Sequence, residues 1–517
     1  MQTRKTTALS MIFGLAAASL AAQESGAPMS AIDWLSDSVA TPAPVPATPA
    51  EPAIAPGPPL APVTVSPLDS ADQRPDAIGI LSPAVTGLPA DLWGTSRAED
   101  IVRRIRAERA ETLPALQALL NTILLAELAP PRDPSADGRS IFFARVDKLL
   151  EMGALDQAGA LLERAGIEDP EVFRRRFDVA LLTGEEQPLC ENLTELPGLS
   201  PSYQARIFCL ARAGDWTGAE LLLGTGAVLG LIDEDDAALF ERFLDPELFE
   251  GEPPLPNPVQ PSPLTFRMYE AIGEPIPTAG LPLAFAHSDL GEDSGWKARI
   301  EAGERLARVG AVSGNQLLGL YTERSPAASG GVWERVAAIQ ALDSRLEIDD
   351  RAGVAQVLPR AWAALDAARV EVPIARILGP RLHAMGLPVE AGEIAFRMAL
   401  LSDDYEDAAQ SDVPDTPLDA LLAGVAKGNV AGLAAPDGRA RAVIEGFSST
   451  RPPARLASLI EDDRLGEAVL RALALFDEGT DGNLDKVTDA LALLRAVGLE
   501  DTARRAALEF LVLDRRG

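Results

Sequence analysis

Residues 148–166 read KLLEMGALDQAGALLERAG, and their reading decides the fold. Leu149 closes one apolar stripe, and Leu161, Leu162 and Ala165 form another beyond Gly153. A glycine supplies the positive φ that ends a helix. Ala158 lets two helix backbones approach closely. Pro170 marks the next helix start, because in a first turn its missing N–H has no partner to lose. A looser copy follows with Ala180, Gly184, Leu189, Leu193 and Pro201, and a third with Leu210, Gly214, Ala219, Leu222 and Leu223. A period of about 30 residues signals stacked helical hairpins.

These residues resemble tetratricopeptide (TPR) repeats, in which the Gly, the Ala and the following Pro are consensus positions. Gly153, Ala158 and Pro170 match all three; Gly184 with Pro201, and Gly214 with Ala219, match two each. The consensus aromatic positions are mostly absent. Single copies recur at Leu382-Gly386-Ala391-Ile394 and Leu494-Gly498-Ala503-Ala506. The resemblance implies an all-α, TPR-like helical-hairpin solenoid, an α-superhelix with an extended surface suited to binding proteins. Ordinary helix-turn-helix packing without a true repeat accounts for the same residues and is equally all-α.

Composition agrees with helix-on-helix packing. The chain is 47% hydrophobic but only 5% aromatic, and Ala and Leu dominate. A net charge of −31 argues against nucleic acid or an anionic membrane as partner, since both require a basic face.

Residues 1–22 have the form of a secretory signal peptide. Arg4 and Lys5 precede the apolar run Ala8–Leu20, and Ser19-Leu20-Ala21 fits a cleavage site. The run is too short to span a bilayer. Residues 23–92 read as a disordered Pro/Ala-rich tether with short apolar islands. One island holds Ile32, Trp34 and Leu35, a possible docking motif; Thr41–Pro67, with ten prolines, follows it. Ile78–Leu81, Leu88, Leu92 and Trp93 form another, expected to lie on the first helices. Ser96-Arg97-Ala98-Glu99 reads as a capping box. Leu116–Leu128 reads as a buried helix. The repeat region is taken as 93–250, a Pro-rich loop as 251–263 and a C-terminal helical region as 264–517.

Little of the chain suggests chemistry. Cys190 and Cys209 lie on neighbouring predicted helices, and in an oxidising compartment the expectation is a structural disulfide. His287 and His383 stand far apart, which makes His-rich metal sites and Ser-His-Asp devices improbable. Asp477, Asp481, Gly482, Asn483 and Asp485 resemble a calcium loop, but Gly479 and Thr488 occupy positions that need ligands, so the stretch reads as a turn capping the next helix. Lytic transglycosylases join an exported α-superhelix to a Glu-Ser motif. Here Glu24-Ser25 lies at the signal junction, which argues against that likeness. No catalytic, cofactor or metal-binding residue is expected. The chain reads as an exported periplasmic scaffold or adaptor, not an enzyme, binding a protein partner in the cell envelope. An α-helical cell-wall-acting enzyme with an unrecognised carboxylate site and a structural envelope spacer are the alternatives.

Overall fold

A computed structural model describes residues 75–513, except 167, 168, 327 and 412. All of these fall in one compact unit, residues 69–517. The signal peptide, the Ile32/Trp34/Leu35 island and the 41–67 proline stretch lie outside the described residues. Among the described residues the regular elements are helices, and β-type pairing is confined to two isolated bridges.

After a short helical turn at Pro83–Thr86, α1 (Ala98–Ala107) and α2 (Pro114–Leu125) lead into the repeat region. That region pairs α3 (Ser140–Glu151) with α4 (Leu155–Ala165), α5 (Pro170–Thr183) with α6 (Gln187–Glu195), and α7 (Tyr203–Arg212) with α8 (Trp216–Val228), and continues into α9 (Glu234–Leu244). After the proline-rich loop come α10 (Pro263–Ala271), α11 (Trp296–Arg308), α12 (Gly314–Thr322), α13 (Val332–Glu347), α14 (Arg351–Ala368), α15 (Glu371–Ala384) and α16 (Val389–Leu400). The last described helices are α17 (Pro417–Ala426), α18 (Gly438–Ser448), α19 (Ala454–Glu461), α20 (Leu465–Thr480), α21 (Leu484–Ala496) and α22 (Glu500–Val512).

One backbone device makes the hairpins. The Gly153 N–H donates to the Leu150 carbonyl, and the Ala154 N–H to that of Leu149. A left-handed residue thus returns two N–H groups to the last helical carbonyls. The same pair of bonds recurs around Gly214 and Gly498. It recurs also at Asp349 and Asp463, with φ of 52° and 60°. Aspartate is among the few side chains that tolerate this region. Ala158, Ala219, Ala468 and Ala503 follow their turns and are fully buried.

The helix starts are built as expected in part. Pro170 opens α5, and the Asp169 side chain caps it. Pro201 lies just outside α7; Ser202 is the cap, accepting from the Ala205 N–H. The expected capping box at Ser96 does not form: Arg97 holds the cap position without a side-chain cap bond. The buried helix expected to reach Leu128 ends at Leu125. Beyond it the chain is extended, because other groups take the free carbonyls. Arg145, fully buried, donates to Leu124 O, Ala126 O and Ile78 O at 2.6, 2.8 and 2.7 Å.

From Pro75 onward the chain is packed, so the folded body starts before residue 93. Asp76 accepts from the Phe142 N–H at the start of α3, and Ile80 and Leu81 donate to Leu125 O. Leu92 and Trp93, expected on the first helices, instead meet α20. A Cβ on Gly466 would stand 2.5 Å from the Trp93 ring. Gly466 N–H donates to Leu92 O, and Thr95 N–H to Asp463 O. Arg104 pairs with Glu467 at 3.2 Å, and the Ala115 N–H donates to Glu509 at 2.9 Å. Packing therefore runs between sequence neighbours and, at this seam, between the first and last helices.

Candidate functional site

Two surfaces combine accessibility with unusual chemistry: a cleft at the seam and the outer face of α8. The cleft, about 520 Å³, lies where the 106–113 stretch meets the end of α20. Lys148 holds the loop that lines it. Its ammonium is buried and donates to Arg106 O, Glu108 O and Glu151 Oε2 at 3.1, 2.7 and 2.6 Å. All three donors are satisfied, so Lys148 ties the loop down.

The loop sets the Glu108 side chain into the cleft at 8% exposure, and its carboxyl takes no hydrogen bond from the described residues. Burial pushes its pKa up to about 8; the nearby Lys148 opposes this and Asp477 adds to it. Asp477 lines the same cleft and accepts from Arg109 at 2.9 Å. Arg109 also reaches Asp481 at 3.3 Å. These two aspartates belong to the calcium-like stretch, and they hold a guanidinium rather than cap α21, where Asn483 makes no side-chain cap bond. Among the described residues no group of three or more His, Cys, Asp or Glu side chains is placed to hold a metal ion.

In the repeat region the turn glycines are not a free edge. Leu283 packs on Gly153, His287 Nε2 lies 2.6 Å from Gly153 O, and Ser288 donates to Leu182 O. Burial lowers the His287 pKa. Arg267 lies over Gly184, whereas Gly214 has open space. The faces of α5, α7, α9 and α10 enclose a pocket of about 410 Å³. Its apolar floor holds Phe177, Leu239 and Phe240. Its rim carries Asp178, raised to about 6 by burial against the pull of Arg174, and Asp236, which accepts from Gln204 at 2.8 Å.

Cys190 on α6 and Cys209 on α7 form a disulfide. It ties α6 to α7, the helix that pairs with α8. His383 packs its ring 5.7 Å from Phe396.

The α8 helix carries apolar residues on every side, interrupted by Thr217, Glu220 and Thr225. Ala219, Leu223 and Gly226 are buried against the body. On the opposite side Leu221 is 72% exposed, Val228 88% and Leu229 63%. Trp216 is half-exposed at the start of the helix, its ring 6.3 Å from Phe243. A helix of this composition is ordinarily enclosed on all sides.

The sequence reading missed Glu108, Lys148 and Arg145. The two cations did leave a signal, since they share a helical face with Ile141, Phe142 and Leu149. Glu108 left none, because only the fold brings it near Asp477. Comparison with known proteins adds no assignment: no protein-family model, curated protein or solved structure matches the chain.

Proposed function

We propose that this protein is an exported, periplasmic scaffold or adaptor that binds a protein partner in cell-envelope assembly or maintenance. In this reading the hairpins from α3 to α8 are a TPR-like solenoid segment, and the partner docks on its outer side. The observation that carries the proposal is the open apolar face of α8. Contiguous exposed apolar surface on a charged protein marks an interaction site. No helix among the described residues is long and apolar enough to cross a membrane, so α8 is not a spanning segment. Replacing Leu221 and Val228 together by Gln leaves the melting temperature unchanged, because both side chains are in solvent. It abolishes co-purification of the partner with tagged protein. Co-purification that survives the double change contradicts the proposal.

One observation favours the second reading, a cell-wall-acting enzyme. The seam cleft holds Glu108, whose carboxyl burial pushes up to about 8, and on the same lining Asp477, which is held by Arg109. Pairs of carboxyl groups in unlike surroundings serve as acid and base in glycoside hydrolysis. Release of soluble fragments from purified cell wall, lost in Glu108→Gln, supports that reading; no release by the wild-type chain removes it.

A further inference from the structure

We infer that the segment docking on α8 is a basic amphipathic helix: an apolar stripe flanked by Lys and Arg. The inference rests on the adaptor reading and adds the chemistry of what is bound.

Shape comes first. Leu221 and Val228 lie two turns apart on the exposed side of α8, with Gly224 between them. A Cβ on Gly224 would meet nothing within 4 Å. Two aliphatic ridges around an open glycine form a shallow groove that accepts a side-chain ridge of another helix. With 13 residues, α8 is about 20 Å long at 1.5 Å per residue, enough for three to four turns of a partner.

Charge decides which helix. From Ala213 to Glu241 the chain contains no Lys or Arg. Over the same stretch it carries Asp215, Glu220, Asp233, Glu234, Asp235, Asp236 and Glu241. Glu220, Glu234 and Asp235 are exposed and enter no ion pair among the described residues. Glu220 stands next to Leu221 on α8, and Glu234 and Asp235 open α9, the helix that follows. A partner with Lys or Arg beside its apolar stripe neutralises them, and one with acidic edges is repelled.

The same charges argue against the other occupants of an apolar face. A second copy of this chain would bring the same acidic edge against itself. An anionic bilayer would be repelled, since adsorption to it relies on Lys and Arg.

The test uses the purified full chain and two synthetic helical peptides with the same Leu/Ala stripe. One carries Lys and Arg at its flanks, the other Glu. Trp216 reports binding, its signal isolated by comparing wild type with Trp216→Phe. The basic peptide is expected to blue-shift Trp216 emission and the acidic peptide to leave it unchanged. Leu221→Gln, and separately Glu220→Lys with Asp235→Lys, should each weaken the basic peptide at least about tenfold, a hot-spot-sized loss. Raising salt from ~50 to ~300 mM should weaken it as well. Equal binding of both peptides, still lost in Leu221→Gln, overturns the charge assignment and leaves the adaptor reading standing. No binding of the basic peptide, or binding indifferent to Leu221, overturns the inference outright. So does a Leu221-dependent dimer in sedimentation, which makes a second copy the occupant. Leu221-dependent binding to phosphatidylglycerol vesicles also overturns it, in favour of a lipid surface.

Discussion

Glu108 is the residue whose ionisation is tied most directly to the fold. Its carboxyl titrates near 4.5 in an unfolded chain and near 8 in the folded one. Below the lower value both states carry the proton, and the contribution to stability is complete. As pH rises towards 8 only the unfolded chain ionises, so stability falls through this window and levels off above it. Urea midpoints measured across it should show that decline in the wild type, flattened in Glu108→Gln, which is also more stable at neutral pH. Equal slopes would show that Glu108 is not buried as described. The cysteines offer a second test at this scale. Alkylation of the unreduced protein should find no free thiol, and reduction should cost roughly 3 kcal/mol for a loop of this length. The pairing was legible because two cysteines lie either side of one predicted turn. Glu108 was not, because its pKa depends on distant residues that bury it.

At the scale of the element, the hairpin turn is the recurring unit. Its glycine copies could be read directly, since few other residues adopt a positive φ without strain. The copies at Asp349 and Asp463 escaped, although they have the same φ sign and the same pair of hydrogen bonds. Asp349→Gly should therefore be neutral or slightly stabilising, within about 1 kcal/mol. Asp349→Val should destabilise by roughly 1–3 kcal/mol, because a β-branched side chain is strained there. Similar losses for Gly and Val in denaturation would point instead to the ion pair of Asp349 with Arg381. Ala158→Glu should unfold the repeat region, since a charge would be forced between packed helices; native-like circular dichroism would contradict this. On α8 the sequence marked Ala219 and Leu223 as the packed side, and both are buried. The open side was not legible, because apolar composition alone predicts burial.

The body formed by the described residues is closed by contacts between its first and last helices. Trp93 is enclosed, with its ring against the Gly466 backbone of α20. Nothing in local sequence joins these residues; the seam exists because Gly466 leaves room for an indole that the loop before α1 supplies. Trp93→Ala should destabilise by about 3–5 kcal/mol, as large-to-small changes at enclosed sites do, and should increase proteolysis within residues 75–113. A protease-resistant variant would mean that the seam does not hold the body together. Separately, the 267–306 segment covers surfaces that an open repeat array would expose, including the Gly153 and Gly184 turns. The α8 face stays open, and the functional proposal stands on it. The most direct measurement places a photo-crosslinking residue at position 221 of the full-length protein in its native cells. The control is position 389, where Val389 is equally solvent-exposed on α16. The proposal predicts one partner protein crosslinked from 221 and none from 389. No product from 221, or the same products from both positions, contradicts it.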